Sequence, residues 1–340
     1  MTSGTTDNRI RLGYQIPNFT YPDPLHGVRG PDSDIFPSVL AQAREAQDSG
    51  FDTVFVMDHF FQLPGIGAFD EPMLEAYTAL GALATGTSSI KLSTLVSGNT
   101  YRNPALLAKA VTTLDAVSGG RAVLGIGAGW FEREHDAMGY EFGTFTDRFA
   151  KLSEALTIIE PMLRGGRPEV DGEYYSCRGA FASPLVRTDL PIMLGGAGEK
   201  KTFALAARYA DHINMNCSPD EIPRKLDALA ARCEEAGRDR STLETSLLGF
   251  VMMDEDGDVA RAMVGEYLRK LGTDPATLDD ETFARATARM FVGTPDDVAE
   301  QIQTRVLDRG LDGIVFNMVA NGHVPGMVRL AGETLAPLFR

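Results

Sequence analysis

Three short segments carry the residue types that could do chemistry. Asp58 and His59 follow the apolar run TVFVM and precede Phe60 and Phe61, which sets a carboxylate and an imidazole beside aromatic surface. Such a pair can orient or protonate a redox-active ring, although taken alone it fits a turn cap and a structural histidine at least as well. In LGIGAGWFEREHDAMG, Gly125, Gly127 and Gly129 allow close backbone approach to a neighbour or ligand, and Trp130 offers a flat face for stacking. Glu132, Glu134 and His135 follow at helical spacing, as an acid/base cluster or, less readily, a metal site. The third segment is Gly195, Gly196, Ala197 and Gly198, followed by Glu199, Lys200, Lys201 and Thr202. Glycines at the opening of a helix make a cradle for an anion such as phosphate, and the lysines add local positive charge; the alternative is a tight turn with solvated lysines.

Other chemistries lack their signatures. GIGAGW has no third glycine at the G-x-G-x-x-G spacing, and no G-x-S-x-G elbow, P-loop or H-E-x-x-H occurs. Cys177, Cys217 and Cys233 form no C-x-x-C pair, so neither a disulfide framework nor a zinc site is expected, and no metal is assigned. The formal net charge of −15 repels phosphate backbones and anionic membranes, which argues against nucleic acid and membrane as partners and leaves a small molecule. No signal-peptide pattern or apolar run of membrane-spanning length is seen, and a reducing cytoplasm is the expected setting.

Elements able to position these segments recur along the chain. Eight short β-branched or aliphatic runs, near 9–16, 53–57, 91–96, 121–127, 191–196, 212–217, 246–253 and 313–319, alternate with helical periodicity. Eight βα units are what a (β/α)₈ TIM barrel needs, and 340 residues accommodate one as a single domain spanning 1–340. Helix signals agree: Ser33 or Asp34 opens a helix closing at Gly50, Asn103 and Pro104 open one ended by Gly119 and Gly120, and Thr294, Pro295 and Asp297 cap one stopping at Gly310. Two stretches exceed the repeat. One follows strand 4 (128–190), with a helix around Asp147–Leu163 and a hairpin turning at Asp171 and Gly172; the other follows strand 7 (254–312) and reads as helical. Insertions after barrel strands rise on the ligand-binding face, so both are expected to wall a substrate pocket. Strand 1 ends in Tyr14, Gln15, Pro17 and Asn18, before the aromatic, proline-rich loop FTYPDPLHG, which fits either a ligand contact or a plain rim loop.

Taken in order, GYQIP, SGFDTVFVMDHF, STLVSGNTYRNPALLAKAVTTLDAVSGGRAVLGIGAGW, PIMLGGAG and LDGIVFNM cover nearly the whole chain. In these segments the chain resembles the bacterial luciferase-like superfamily, and within it the branch that uses the deazaflavin cofactor F420. The resemblance implies a cofactor ring across the barrel mouth and a phosphate tail running toward the later strands. Asp58 and His59 match the pair set beside the deazaflavin. Leu95 and Val96 match a strand end that carries a non-proline cis peptide, with Thr94–Leu95 as the other register. Gly195, Gly196, Ala197 and Gly198 match the phosphate loop, and Gly127, Gly129 and Trp130 match the loop reaching ring or substrate. The family's sugar-phosphate dehydrogenases carry a glutamate where Trp130 stands, so Trp130 implies an aromatic wall in place of their proposed acid.

The implied activity is hydride transfer between F420 and an unidentified organic substrate. His59, beside Asp58, would tune the ring or relay a proton, with Glu132 or His135 as a second acid/base. Two alternatives remain, a reduced-FMN monooxygenase of the same fold and a non-catalytic flavin-binding protein. Relatives of this kind pair as dimers, so a homodimer is expected.

Overall fold

The computed structural model describes residues 8–21, 30–64 and 66–340. Most of the loop after strand 1, from residue 22 to 27, therefore lies outside the described residues. Among the described residues, the strands are β1 (Leu12–Gln15), β2 (Thr53–Val56), β3 (Lys91–Thr94), β4 (Ser97–Gly98), β5 (Leu124–Gly127), β6 (Glu169–Asp171), β7 (Ser176–Arg178), β8 (Ile192–Gly195), β9 (His212–Met215), β10 (Glu244–Met253), β11 (Met290–Gly293) and β12 (Gly313–Asn317). The helices are α1 (Ile35–Ser49), α2 (Ala76–Gly86), α3 (Pro104–Ser118), α4 (Glu132–Met138), α5 (Phe145–Leu163), α6 (Lys201–Tyr209), α7 (Ile222–Glu235), α8 (Gly257–Lys270), α9 (Asp280–Ala286), α10 (Pro295–Ile302) and α11 (Met327–Leu335).

Parallel pairing runs β3-β2-β1-β12-β10-β9-β8-β5-β4, and a parallel bridge between Leu92 and Ala122 joins β3 to β5. Because β4 resumes the path of β3 after Leu95 and Val96 and pairs with β5, the two make one interrupted stave. The result is the expected barrel of eight staves, with helices between them.

Local chemistry explains the helix boundaries. The Asn103 side chain accepts the amides of Ala105 and Leu106, Pro104 occupies the first turn, and Gly119 closes α3 at φ +70°. Thr144 and Asp147 bond reciprocally at the start of α5, and Thr294 and Asp297 do the same for α10. On α3, Leu107, Val111 and Leu114 are buried against the barrel. Each such leucine contributes about 1.5–3 kcal/mol by leaving water.

The first insertion is as its sequence suggests, with α5 followed by the β6–β7 hairpin. Glu154 of α5 accepts the amides of Glu173, Tyr174 and Tyr175 and so pins the hairpin turn to the helix. The second insertion differs from the helical expectation. It holds α8 and α9 but also β11, which pairs in parallel with Phe250–Met253. At ten residues β10 outruns its neighbours, and its far half leaves a free edge that the short apolar run MFVG covers.

The barrel interior is more polar than the branched aliphatic filling usual for this architecture. His212 Nε2 and Asn214 Nδ2 both meet Ser246 Oγ, at 2.7 and 2.8 Å. Asn317 donates to Gln15 Oε1, and Gln15 Nε2 donates to the Leu95 carbonyl at 3.2 Å, so the core reaches up to the interrupted stave.

Burial, reinforced by Lys91 and Arg11, drives the His212 pKa down from 6.5 to about 3. The folded chain thus resists a proton that the unfolded chain accepts below pH 6.5, and stability falls as pH drops through that range. Between pH 6.5 and about 5, above most carboxylate titrations, His212 should remove about 2 kcal/mol, at 1.36 kcal/mol per pH unit. Urea unfolding of His212→Gln should show a correspondingly flatter pH dependence in this interval; an unchanged slope would contradict a neutral, buried imidazole.

Candidate active site

A cleft of about 440 Å³ opens at the C-terminal ends of the staves. Asp58, His59, Leu95, Val96, Gly127, Gly129, Trp130, Gly195, Gly196, Ala197 and Gly198 all line it, so residues far apart in sequence meet as expected. Thr94 and Glu132 do not line it. Thr94 is buried behind the interrupted stave, where its hydroxyl meets Ser97 Oγ and donates to the Gly125 carbonyl. Glu132 is exposed on α4. The Leu95–Val96 peptide is cis, which resolves the one-residue ambiguity in register.

Asp58 closes the seam between β2 and β4. Arg102 donates to both of its oxygens, at 2.6 and 2.9 Å, and the Gly98 amide adds a bond of 3.1 Å. Arg102 also reaches Glu75 at 2.6 Å and lies over the Tyr77 ring. Burial pushes the Asp58 carboxyl up from its ordinary value, against the pull of Arg102. Burial works against the charge on Arg102 as well, but Asp58 and Glu75 overcome it and hold the guanidinium protonated.

His59 is tied to Glu134 rather than Glu132. Its Nδ1 donates to Glu134 Oε2 at 2.7 Å, since an ionised carboxylate can only accept. The same carboxylate accepts the Tyr101 hydroxyl at 2.7 Å and the Phe60 and Phe61 amides. Burial opposes ionisation, yet His59, Tyr101 and the Phe61 amide together hold Glu134 below the ordinary glutamate range. His59 Nε2 has no partner among the described residues and belongs to a side chain lining the cleft. His135, by contrast, is fully buried and bonded at both ring nitrogens, to the Phe131 carbonyl and to Thr100 Oγ1. The described residues contain no cluster of three or more His, Cys, Asp or Glu side chains arranged for a metal.

The glycines of the fourth and fifth staves have a packing reason. A Cβ on Gly127 would lie 2.9 Å from Val96 Cγ2, and one on Gly195 would lie 2.8 Å from Val96 Cγ1, so the two staves make room for Val96 between them. Gly196 has φ +132°, a conformation reserved for glycine. Its amide bonds the Asn214 carbonyl, while Lys225 braces the loop from below through the Ala197 carbonyl and Glu199. No side chain caps α6, and of its first-turn amides that of Phe203 bonds the Gly198 carbonyl of the glycine loop at 3.1 Å.

Thr202 of the glycine-loop segment also lines the cleft, and the remaining wall comes from residues the motifs did not single out: Phe145, Arg148 and Phe149 from the first insertion, together with Ser97, Gly98, Tyr101, Ala128, Asn214, Asn216 and Leu248. The spacing of Phe145, Arg148 and Phe149 at i, i+3 and i+4 was the available signal for one shared helix face. The second insertion contributes no lining residue. A larger hollow of about 880 Å³ sits at the opposite, N-terminal end of the staves. There Arg11 pairs with Glu244 and Asp312, Lys91 with Asp52, and Arg121 donates to backbone carbonyls.

An eight-stave barrel with this rim, a glycine cradle facing an imidazole across an apolar cleft, defines a class of cofactor-binding TIM-barrel enzymes. The chain belongs to the luciferase-like monooxygenase family, whose model matches residues 10–313. It is 31% identical, over 94% of its length and 98% of the relative's, to an F420-dependent glucose-6-phosphate dehydrogenase of Nakamurella multipartita. It is 27% identical, over 91% and 98% of the two chains, to a 5,10-methylenetetrahydromethanopterin reductase of Methanolobus tindarius. The fold is shared with an EDTA monooxygenase from Chelativorans sp. BNC1, at a TM-score of 0.80, 17% identity, and coverage of 97% and 93%. The chain is therefore an enzyme of this family, and none of its described helices is long and apolar enough to cross a membrane.

Replacing Arg102 with Met should strand the Asp58 carboxylate in the interior and remove about 3–5 kcal/mol of stability in urea unfolding. A loss below about 1 kcal/mol would mean that the pair behaves as a solvated surface bridge.

Proposed function

We propose that this enzyme is an F420-dependent oxidoreductase that transfers hydride between the deazaflavin and a small organic substrate. The observation carrying the proposal is that one continuous cleft joins His59, whose Nε2 has no partner among the described residues, to a helix N-terminus without a side-chain cap behind a glycine turn. A molecule with a flat redox ring at one end and a phosphate at the other suits both features.

Leu95, Val96, Gly98, Gly127 and Gly129 would support the ring, and Gly195, Gly196, Ala197 and Gly198 the phosphate. When bound, F420 supplies or accepts a hydride at a ring carbon. Asp58, saturated by three donors, fixes the stave junction beneath the ring. His59, held at Nδ1 by Glu134, presents Nε2 as the atom that gives or takes the proton accompanying hydride transfer. Trp130, Phe145 and Phe149 exclude water and form a flat apolar wall for the substrate. No chemical step is assigned to Glu132, which stands exposed away from the cleft, or to His135, whose nitrogens are both engaged. A cytoplasmic homodimer belongs to the same reading, supported by Leu106 and Val117 exposed on α3.

The second reading, a reduced-FMN monooxygenase, draws on the shared monooxygenase fold. Cofactor identity separates the two, because F420 carries hydride and reacts poorly with oxygen. The 31% identity to an F420-dependent relative along nearly the whole chain favours F420.

Trp130 is the chain's single tryptophan and stands on the cleft wall, so its emission reports occupancy. Titration should give saturable quenching by F420 at a concentration at least tenfold below that needed for FMN; the reverse order would favour the monooxygenase reading. Once a substrate panel yields turnover, His59→Ala should lower kcat by about 10²–10⁴-fold in a barrel that still folds, with stability in urea lowered by about 1–3 kcal/mol for the donor withdrawn from Glu134. Wild-type kinetics in that variant would remove His59 from proton transfer.

A further inference from the structure

The two oxygens of Glu134 are occupied differently. Oε1 takes the Phe60 and Phe61 amides, at 2.5 and 2.9 Å, which belong to the backbone and are indifferent to side-chain identity. Oε2 takes two side chains, His59 Nδ1 and the Tyr101 hydroxyl, each at 2.7 Å. One oxygen serves both, so the negative charge that the phenol draws is withheld from the imidazole.

Tyr101 is built into this place from several sides. It is 7% exposed, and its ring packs among Phe60, His135 and Tyr140, with centroids 4.9, 4.9 and 5.8 Å away. A Cβ on Gly98 would lie 2.6 Å from Tyr101 Cε2, so the glycine that ends β4 makes room for the ring. Burial and the Glu134 carboxylate push the phenol far above its ordinary range, and it donates without ionising.

The other charged and titratable groups around the pair have different partners. Asp58, next to His59, is paired with Arg102, next to Tyr101. His135 is bonded to the Phe131 carbonyl and to Thr100, and Tyr140 meets only the rings of Phe60 and Tyr101. Arg148, on the cleft wall, donates to the Gly129 and Gly143 carbonyls, while Glu132 and Arg133 are exposed on α4. Among the described residues, Tyr101 is therefore the side chain that shares the carboxylate with His59.

We propose that Tyr101 is a positioning residue of the proton-transfer site, which sets how firmly His59 holds its proton by competing with it for Glu134 Oε2. A carboxylate beside an imidazole favours the protonated ring, and a second donor on the same oxygen offsets part of that effect. With Tyr101 in place, His59 releases its proton more readily than it would beside Glu134 alone. The proposal rests on the reading of His59 as the residue that gives or takes the proton.

The test follows the His59 imidazole by NMR in the full-length enzyme carrying isotope-labelled histidine, where it is one of five and is assigned by its loss in His59→Ala. Tyr101→Phe should raise the pH at which the ring is half protonated by about 0.5–1 unit, part of the effect of one hydrogen bond to a charged group. Ring-fluorinated tyrosine at position 101 keeps the shape and donates more strongly, so it should lower that pH. A residue that only packs would not produce opposite shifts. An unmoved midpoint in both proteins, or movement in the same direction in both, would overturn the proposal. If Tyr101→Phe does not fold, the fluorinated enzyme decides: a lower midpoint supports the assignment, and an unmoved or higher one contradicts it. With a substrate in hand, the pH profile of kcat in Tyr101→Phe should move with the NMR midpoint. An NMR shift with an unmoved profile upholds the competition at Glu134 and removes His59 from proton transfer, whereas an unmoved NMR midpoint sinks the Tyr101 assignment alone.

Discussion

Four donors converge on the carboxylate of Glu134, and the working geometry of the rim depends on that convergence. The His59 imidazole, the Tyr101 hydroxyl and the Phe60 and Phe61 amides reach it from two different loops. A fully buried carboxylate is tolerable only because these bonds satisfy it, and in satisfying it they fix the end of the second stave against α4. The imidazole is consequently held at Nδ1 in a side chain that lines the cleft. Asp58 makes a parallel junction one residue earlier, through Arg102 and Gly98, between the second stave and the resumed third. Neighbouring residues thus have different duties, one fastening the barrel mouth and the other facing the reaction space.

The cleft offers two unlike kinds of surface. Trp130, Phe145 and Phe149 are aromatic, while Arg148 and Thr202 supply a guanidinium and a hydroxyl beside the Gly196 turn. This division suits a bifunctional ligand, a ring to be gripped by apolar surface and a tail to be held by charge. The chain's overall negative charge makes the contrast sharper, since an anion gains nothing from the average field and depends on the local donors.

Much of this was legible in the sequence because barrel strands announce themselves and their ends face one rim. The eight runs, the caps at Asn103 and Thr294, and the meeting of Asp58, His59 and Gly196 at one rim follow from local pattern plus closure, whereas Val96 was marked only by the family resemblance. What stayed hidden depends on three-dimensional partners. Helical spacing put Glu132, Glu134 and His135 together, but which of them faces inward is set by the start of α4, and that phase turns Glu134 to His59 and Glu132 to solvent. Thr94 stood one residue from the cleft wall, yet strand alternation and the interruption at Leu95–Val96 put it behind the stave. Short strand β11 escaped notice because four apolar residues inside a helical stretch carry no period of their own, and only the overhanging half of β10 gives them a partner.

The most direct check is a crystal structure of the enzyme soaked with F420. It should place the deazaflavin ring against Leu95 and Val96 with His59 Nε2 toward the reacting edge, and the phosphate on the first turn of α6. A ring bound outside this cleft, or a phosphate at the opposite rim with the α6 amides left to solvent, would contradict the account.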